Sequence, residues 1–223
     1  MKKTLIGLFM AMFWFGSASA DAGINIGISG NAGLYAANAT EFDEGTNGTT
    51  SGDDEEQKQS EYMGAMYGSI FVEKELGIFF VGVDMVPGSI DTETASSTVN
   101  DKTTSATATA VTNTVKVEFD GLTTVYVGIR LLDSVYVKAG SVSVDVKTQE
   151  SLGTGSTYGD TSIDGSMIGI GVDRTLDNGM FVRAEAKHTD FDGVSLTSST
   201  GVNKITLNSL DGLVGTVSIG KSF

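Results

Sequence analysis

Eight charged residues have apolar neighbours and could share one interior. They are Glu73, Asp84, Arg130, Lys138, Asp173, Arg183, Glu185 and Lys187. Four are acids and four are bases. If the segments that carry them face a common lumen, we expect this balanced set to neutralise itself as ion pairs, because an isolated buried charge is costly. The alternative is an ion-selectivity ring, although such a ring usually favours one sign of charge.

Catalytic chemistry has little support in the sequence. His188 is the single histidine, and the chain has no cysteine, which excludes thiolate chemistry and disulfides. A lipid hydrolase would need a serine nucleophile near His188, yet the residue two positions later is Asp190. We therefore expect no enzyme activity, no cofactor and no resident metal, and we interpret His188 as an interfacial residue.

The chain is strongly acidic, with 28 Asp and Glu residues against 14 Lys and Arg and a net charge of −14. Nucleic acid is excluded as a partner, since its phosphates need a basic face. The main acidic concentration comprises Glu41, Asp43, Glu44, Asp53, Asp54, Glu55, Glu56 and Glu61. A dedicated calcium loop is not expected, because Gly45 stands at a ligand position and no helices flank the segment. We expect a solvated acidic loop over 38–60, with weak divalent-cation bridging to lipopolysaccharide as the alternative.

Hydrophobicity alternates with period two through most of the chain, which is typical of β-strands with one apolar face. The alternation predicts eight strands, at about 23–37, 61–75, 78–90, 108–131, 134–147, 162–174, 179–194 and 203–223. Short connections between them alternate with long, polar ones. This arrangement favours an all-β fold, an eight-stranded antiparallel up-and-down transmembrane β-barrel. A soluble β-sandwich is the alternative.

The length of the apolar alternation separates these two folds. Measured from each short connection, it continues for about 8 to 11 residues and then meets a break. The breaks are Pro87-Gly88, Asp120-Gly121, Asp164-Gly165 and Asp211-Gly212. A tilted membrane strand needs about 9–11 residues to cross the hydrocarbon, so this common length indicates surrounding lipid. The phase of the alternation reverses within 134–147, which predicts a bulge near Gly140-Ser141.

The first 20 residues are expected to be a signal peptide. Lys2 and Lys3 precede an apolar stretch of about eleven residues, and a run of small residues ends at Ala20. That stretch is shorter than the ~20 residues of a membrane-spanning helix. We therefore expect secretion across the inner membrane, with residues 21–223 forming one barrel domain in the bacterial outer membrane.

Several segments in the second half of the chain carry a resemblance to a known family. They are 136–140 (Tyr-Val-Lys-Ala-Gly), 169–173 (Gly-Ile-Gly-Val-Asp), the charged strand 181–191 and the C-terminal Phe223. These segments resemble the OmpA-like and opacity-protein group of small bacterial outer-membrane barrels. The resemblance implies a cell-envelope barrel, with Phe223 as the signal that the barrel-insertion machinery reads on the last strand.

Three functions follow as hypotheses. The first is a monomeric structural barrel that catalyses nothing, has a side-chain-filled lumen, and contacts outer-membrane lipid and lipopolysaccharide. The second is a narrow porin-like channel for small solutes or ions. The third, a lipid hydrolase, lacks its nucleophile. The first is favoured because an eight-stranded barrel is only wide enough for side chains to fill.

Overall fold

The computed structural model describes residues 23–43, 55–92, 95–101, 109–151, 157–199 and 203–223. The strands are β1 (Ile24–Asp43), β2 (Glu55–Leu76), β3 (Phe79–Met85), β4 (Ser89–Asp91), β5 (Ala95–Asp101), β6 (Thr109–Leu132), β7 (Val135–Ser151), β8 (Thr161–Thr175), β9 (Met180–Phe191), β10 (Val194–Thr197) and β11 (Asn203–Ser222). Within these ranges, no helix is long and apolar enough to cross a membrane. The expected signal peptide, residues 1–20, lies outside the described residues.

Eight of these strands close into a ring. The strand order is β1, β2, β3, β6, β7, β8, β9 and β11, and the pairing of β11 with β1 closes the ring. All these pairings are antiparallel. The short strands β4 and β5 extend the sheet beside the far half of β6, and β10 lies beside β11. The predicted eight-stranded antiparallel up-and-down barrel is confirmed.

The register of the strand pairing shifts steadily along the barrel axis from one strand to the next. A path of paired residues leaves β1 at Ile26 and returns to β1 at Ala36, ten residues further along. Between these it passes through Val72, Val83, Val125, Ser141, Ser166, Asp190 and Asp211. Each step from one strand to the next therefore climbs by about one residue. This stagger over eight strands corresponds to a strand tilt of roughly 40° and to a narrow interior.

The two ends of the barrel differ. At one end, here called the turn end, short turns join β2 to β3, β6 to β7 and β8 to β9. At the other end, here called the long end, β1 and β2 stay paired up to Asp43 and Glu55. Segment 38–60, which the sequence predicted as a loop, is therefore strand at both sides, and residues 44–54 lie outside the described ranges. Cross-strand bonds hold this polar ribbon, because Asn38 accepts from Ser60 at 2.7 Å and donates to Ser209 at 3.0 Å.

The apolar surface of the barrel changes sides along its axis. Near the turn end, large apolar side chains such as Ile28, Ile170 and Val217 lie exposed on the outside. Near the long end, apolar side chains instead pack inside. This internal cluster contains Tyr35, Val142, Val144, Val146, Ile163, Phe191, Leu210 and Val214. The first half therefore suits lipid, and the second half suits water.

This exchange of sides explains the reversed phase within 134–147. The predicted bulge near Gly140-Ser141 is wrong, because β7 keeps its register with β6 and β8 through these residues. Tyr136, Lys138 and Val142 all face inward on one continuous strand. The irregularity nearest to these residues lies on the paired strand, β6, where the register shifts between Asp120 and Thr123.

Candidate functional site

The interior of the turn-end half holds the polar groups that could do chemistry. The eight charged residues named from the sequence lie on six ring strands: Glu73 on β2, Asp84 on β3, Arg130 on β6, Lys138 on β7, Asp173 on β8, and Arg183, Glu185 and Lys187 on β9. Strand pleating places alternate side chains inward, so one to three charges at the right parity on each of these strands build this interior.

The central contact joins β2 to β9 across the lumen. Arg183 donates from Nη1 to Glu73 Oε1 at 2.6 Å and from Nη2 to Glu73 Oε2 at 2.9 Å. The side chains are 3% and 1% exposed. The hydroxyl of Tyr126 donates to Glu73 Oε1 at 2.8 Å. The rings of Phe71 and Tyr136 lie 5.2 and 5.1 Å from the guanidinium carbon of Arg183. This bidentate pair is dry and enclosed by rings, so it is a rigid cross-brace.

A second contact joins β7 to β9. Lys138 Nζ lies 2.6 Å from Glu185 Oε1, and both side chains are 4% exposed. Tyr136 donates its hydroxyl proton to the same carboxylate oxygen at 2.5 Å. The ammonium of Lys138 lies 4.4 Å from the ring centroid of Tyr126. Each carboxylate in the middle of the lumen therefore has one base and one tyrosine as partners.

Toward the turn end, Arg130 binds two acidic side chains. Its Nη1 donates to both oxygens of Asp173, at 3.0 and 3.1 Å, and its Nη2 donates to Glu75 at 3.0 Å. Asn25 also donates to Glu75, at 3.1 Å. Glu75 was not among the lumen residues predicted from the sequence. It shares the inward parity of Glu73, and that parity could have identified it.

On the long-end side of the Glu73–Arg183 pair, small polar side chains replace ion pairs as the main contacts. Asp84 accepts from Ser69 at 3.1 Å. Lys187 and Thr216 both donate to Asn31 Oδ1, at 3.1 and 2.7 Å. These uncharged residues were not among the predicted lumen residues, because a single inward Ser, Asn or Thr resembles any strand residue. Asn31 also donates to Ser69 at 3.1 Å, so these residues form a polar network along the inside of the wall from β3 to β11.

Aromatic rings fill the remaining cross-section. Phe80 packs edge-on against Tyr126 and Tyr136, with ring centroids 6.3 and 5.3 Å apart. Glycines at the paired positions of the neighbouring strands make room for two of these rings. A Cβ at Gly128 would lie 2.0 Å from the Phe80 ring, and one at Gly171 would lie 2.3 Å from Tyr136. The lumen at this level is therefore packed with side chains.

The candidate catalytic residue lies apart from this interior. His188 is on the outer face, 51% exposed, with Nε2 at 4.0 Å from Asp211 Oδ1. In the described part of the chain, no group of three or more His, Asp or Glu side chains is arranged to hold a metal ion. A shallow depression of about 730 Å³ is lined by Val127, Ala139 and Ala186 of the outer wall, where acyl chains would lie.

The C-terminal residue closes the ring. Phe223 donates its backbone N–H to Ile24 O at 2.8 Å, and Ile24 donates to Phe223 O at 3.1 Å. The Phe223 ring is about half exposed at the turn end. Its role as an insertion signal stays a prediction. The acidic residues Glu44, Asp53 and Asp54 lie outside the described ranges.

No protein-family model and no curated protein matches the sequence. Several solved structures have a similar backbone. The outer membrane protein OprG from Pseudomonas aeruginosa is 14% identical, with a TM-score of 0.45, covering 91% of this chain and 97% of that one. Ail, the attachment invasion locus protein of Yersinia pestis, is 12% identical with a TM-score of 0.37, covering 88% and 99%. The outer membrane protease OmpT from Escherichia coli is 9% identical with a TM-score of 0.41, covering 94% and 99%.

Proposed function

We propose that this chain is a monomeric integral outer-membrane barrel with a sealed lumen, which presents an acidic strand-built surface outside the cell and catalyses nothing. The observation that carries the proposal is the closed middle of the lumen. There the Glu73–Arg183 and Lys138–Glu185 pairs meet the rings of Tyr126 and Tyr136. Buried acid–base pairs that neutralise one another are a structural plug, whereas a conducting ring needs an excess of one sign.

The orientation of the barrel belongs to the same proposal. The turn end faces the periplasm, as is typical of outer-membrane barrels, and the long end faces outward. The long end then meets lipopolysaccharide and solvent, and the last strand, which ends at Phe223, is read by the barrel-assembly machinery.

Electrical measurement on protein refolded into planar bilayers tests the sealed lumen. We expect the wild-type protein to show no steady openings. The double variant Glu73→Ala, Arg183→Ala removes the central brace and should admit ion leakage. A matched control, Asp91→Ala with Lys116→Ala, removes an ion pair of 3.0 Å on the outer extension and should leave the bilayer electrically silent. Steady nanosiemens openings of the wild type would establish the channel alternative instead.

The absence of catalysis is tested separately. Purified protein should release no fatty acid from lipid A or phospholipid, and His188→Ala should behave as the wild type does. A hydrolysis rate that disappears in His188→Ala would overturn this part of the proposal.

A further inference from the structure

Three basic side chains lie on the outer wall at the turn end: Lys74 on β2, Arg174 on β8 and Lys221 on β11. Their parity is that of the lipid-facing residues, since Lys221 follows Ile219 and Arg174 follows Val172 on the outer face. Charged side chains on a lipid face are tolerated only near its edges. The three bases are therefore candidates for the boundary between hydrocarbon and headgroups.

The register places the three bases at one level. Val182 pairs with both Arg174 and Ile219, and the ladder climbs by about one residue from β8 to β9 and again from β9 to β11. Arg174 is therefore about two to three residues below Ile219, that is, nearer the turn end along the barrel axis. Lys221 is two residues below Ile219. Likewise, Lys221 lies about one residue below its partner Ile26.

On the other side of β1, Lys74 lies about one residue above its partner Ile24. Lys74 and Lys221 therefore both lie near the level of residue 25. The three bases form an arc on alternate strands around one half of the barrel, here called the basic arc.

Aspartates lie on the same strands at the opposite edge. Asp211 is ten residues from Lys221 on β11, and Asp164 is ten residues from Arg174 on β8. Ten residues at a rise of about 3.3 Å and a tilt of roughly 40° span about 25 Å, which is the height of the apolar band of outer-membrane barrels. The bases and acids therefore bracket the hydrocarbon layer, with bases at the turn end.

We infer that the basic arc binds the phosphates of anionic phospholipids in the leaflet at the turn end. Lys and Arg stems can run along apolar surface while their charged heads reach the headgroups. Asp133 and Asp177 lie in the turns beyond the arc, and Asp173, beside Arg174 on β8, faces the lumen and binds Arg130. Neighbouring bases are two strands apart, so each would contact a separate headgroup. Phosphatidylglycerol, with one accessible negative charge, fits this spacing.

The inference rests on the membrane-spanning fold and is independent of whether the lumen is sealed. The test uses full-length barrel domain refolded into phosphatidylcholine vesicles that contain a minority of spin-labelled phosphatidylglycerol or spin-labelled phosphatidylcholine. At low salt, we expect the wild type to retain phosphatidylglycerol about fivefold more strongly at these sites. The triple variant Lys74→Gln, Arg174→Gln, Lys221→Gln should retain both lipids equally.

A matched control changes the net charge by the same amount. The variant Lys116→Gln, Lys147→Gln, Lys204→Gln removes three bases from the strand extensions at the long end, and it should keep the preference. So should the charge-conserving variant Lys74→Arg, Arg174→Lys, Lys221→Arg, which also serves if the glutamine variant fails to fold. Equal losses in the arc and control variants would overturn the inference. So would a preference that the arc variant keeps.

Discussion

Replacing Glu73 by Gln tests how strongly the central brace holds the barrel. The substitution keeps the shape of the side chain but removes the charge that Arg183 contacts at 2.6 and 2.9 Å. The remaining acid within reach of Arg183 is Asp173, at 3.5 Å. Because Arg183 is 3% exposed, its charge cannot be rescued by water. Breaking a buried pair in this way costs about 3–5 kcal/mol.

The magnitude is measured best as a double-mutant cycle. The free energy of unfolding by urea is determined for wild type, Glu73→Gln, Arg183→Met and the double variant, with the folded fraction read from the heat-modifiable band shift. Methionine suits the site because Phe71, Phe181 and Tyr136 surround it with rings. We expect the double variant to be about 2–3 kcal/mol more stable than the sum of the single losses predicts.

An exposed pair provides the control for this cycle. Asp91→Asn should change the stability by less than about 1 kcal/mol, because the Lys116–Asp91 pair is open to solvent. If Glu73→Gln costs no more than Asp91→Asn, or if the two lumen substitutions are simply additive, the brace does not stabilise the barrel and the reasoning fails.

Three further predictions concern packing and surface charge. Val127→Arg places a charge on the lipid face and should cost about 2–4 kcal/mol of folding free energy, measured by refolding into vesicles. Thr124→Arg points into the lumen opposite an acid on β3 and should cost less. Equal losses would mean that the inside and outside faces are misassigned. Gly171→Ala drives a methyl group into a tyrosine ring and should cost about 1–3 kcal/mol in urea unfolding, while Gly30→Ala, with open space around it, should be nearly neutral. Changing the four acids at 53–56 to amides should leave the band shift intact and weaken only divalent-cation-dependent association with lipopolysaccharide; loss of the band shift would show that the segment folds into the barrel.

The lipid-spanning half of the fold could be predicted because its two signals agree. Period-two alternation fixes which side chains share a face, and the common length of that alternation fixes the height of the lipid-facing band. Parity alone then aims residues such as Glu73, Arg183 and Glu185 inward. It does not say which acid meets which base, because that depends on the ten-residue stagger of the ring, and stagger is a property of all eight strands together.

The long-end half was harder to predict for a physical reason. Polar ribbon strands such as the ends of β1 and β2 lack an apolar face, so their sequence resembles a loop. The internal cluster around Val142 and Val144 carries the opposite pattern from the lipid-facing strands, and a bulge was the simplest explanation of that change. The actual cause is a change of solvent along one unbroken strand, which alternation alone cannot distinguish from a slipped register.

The exchange of apolar faces along the axis restricts how deep the barrel can sit in a bilayer. Moving it outward would carry the basic arc, Lys74, Arg174 and Lys221, into hydrocarbon, and moving it inward would carry Asp190 and Asp211 into hydrocarbon. Both displacements are unfavourable, so the protein does not adapt by sliding. Where the surrounding bilayer is thicker or thinner than the band between Lys221 and Asp211, the lipids next to the wall must stretch or compress instead, at a cost of a fraction of a kcal/mol per Å. Membrane thickness should therefore act on the folding efficiency of this barrel through lipid deformation, with an optimum set by the ten residues between these two side chains.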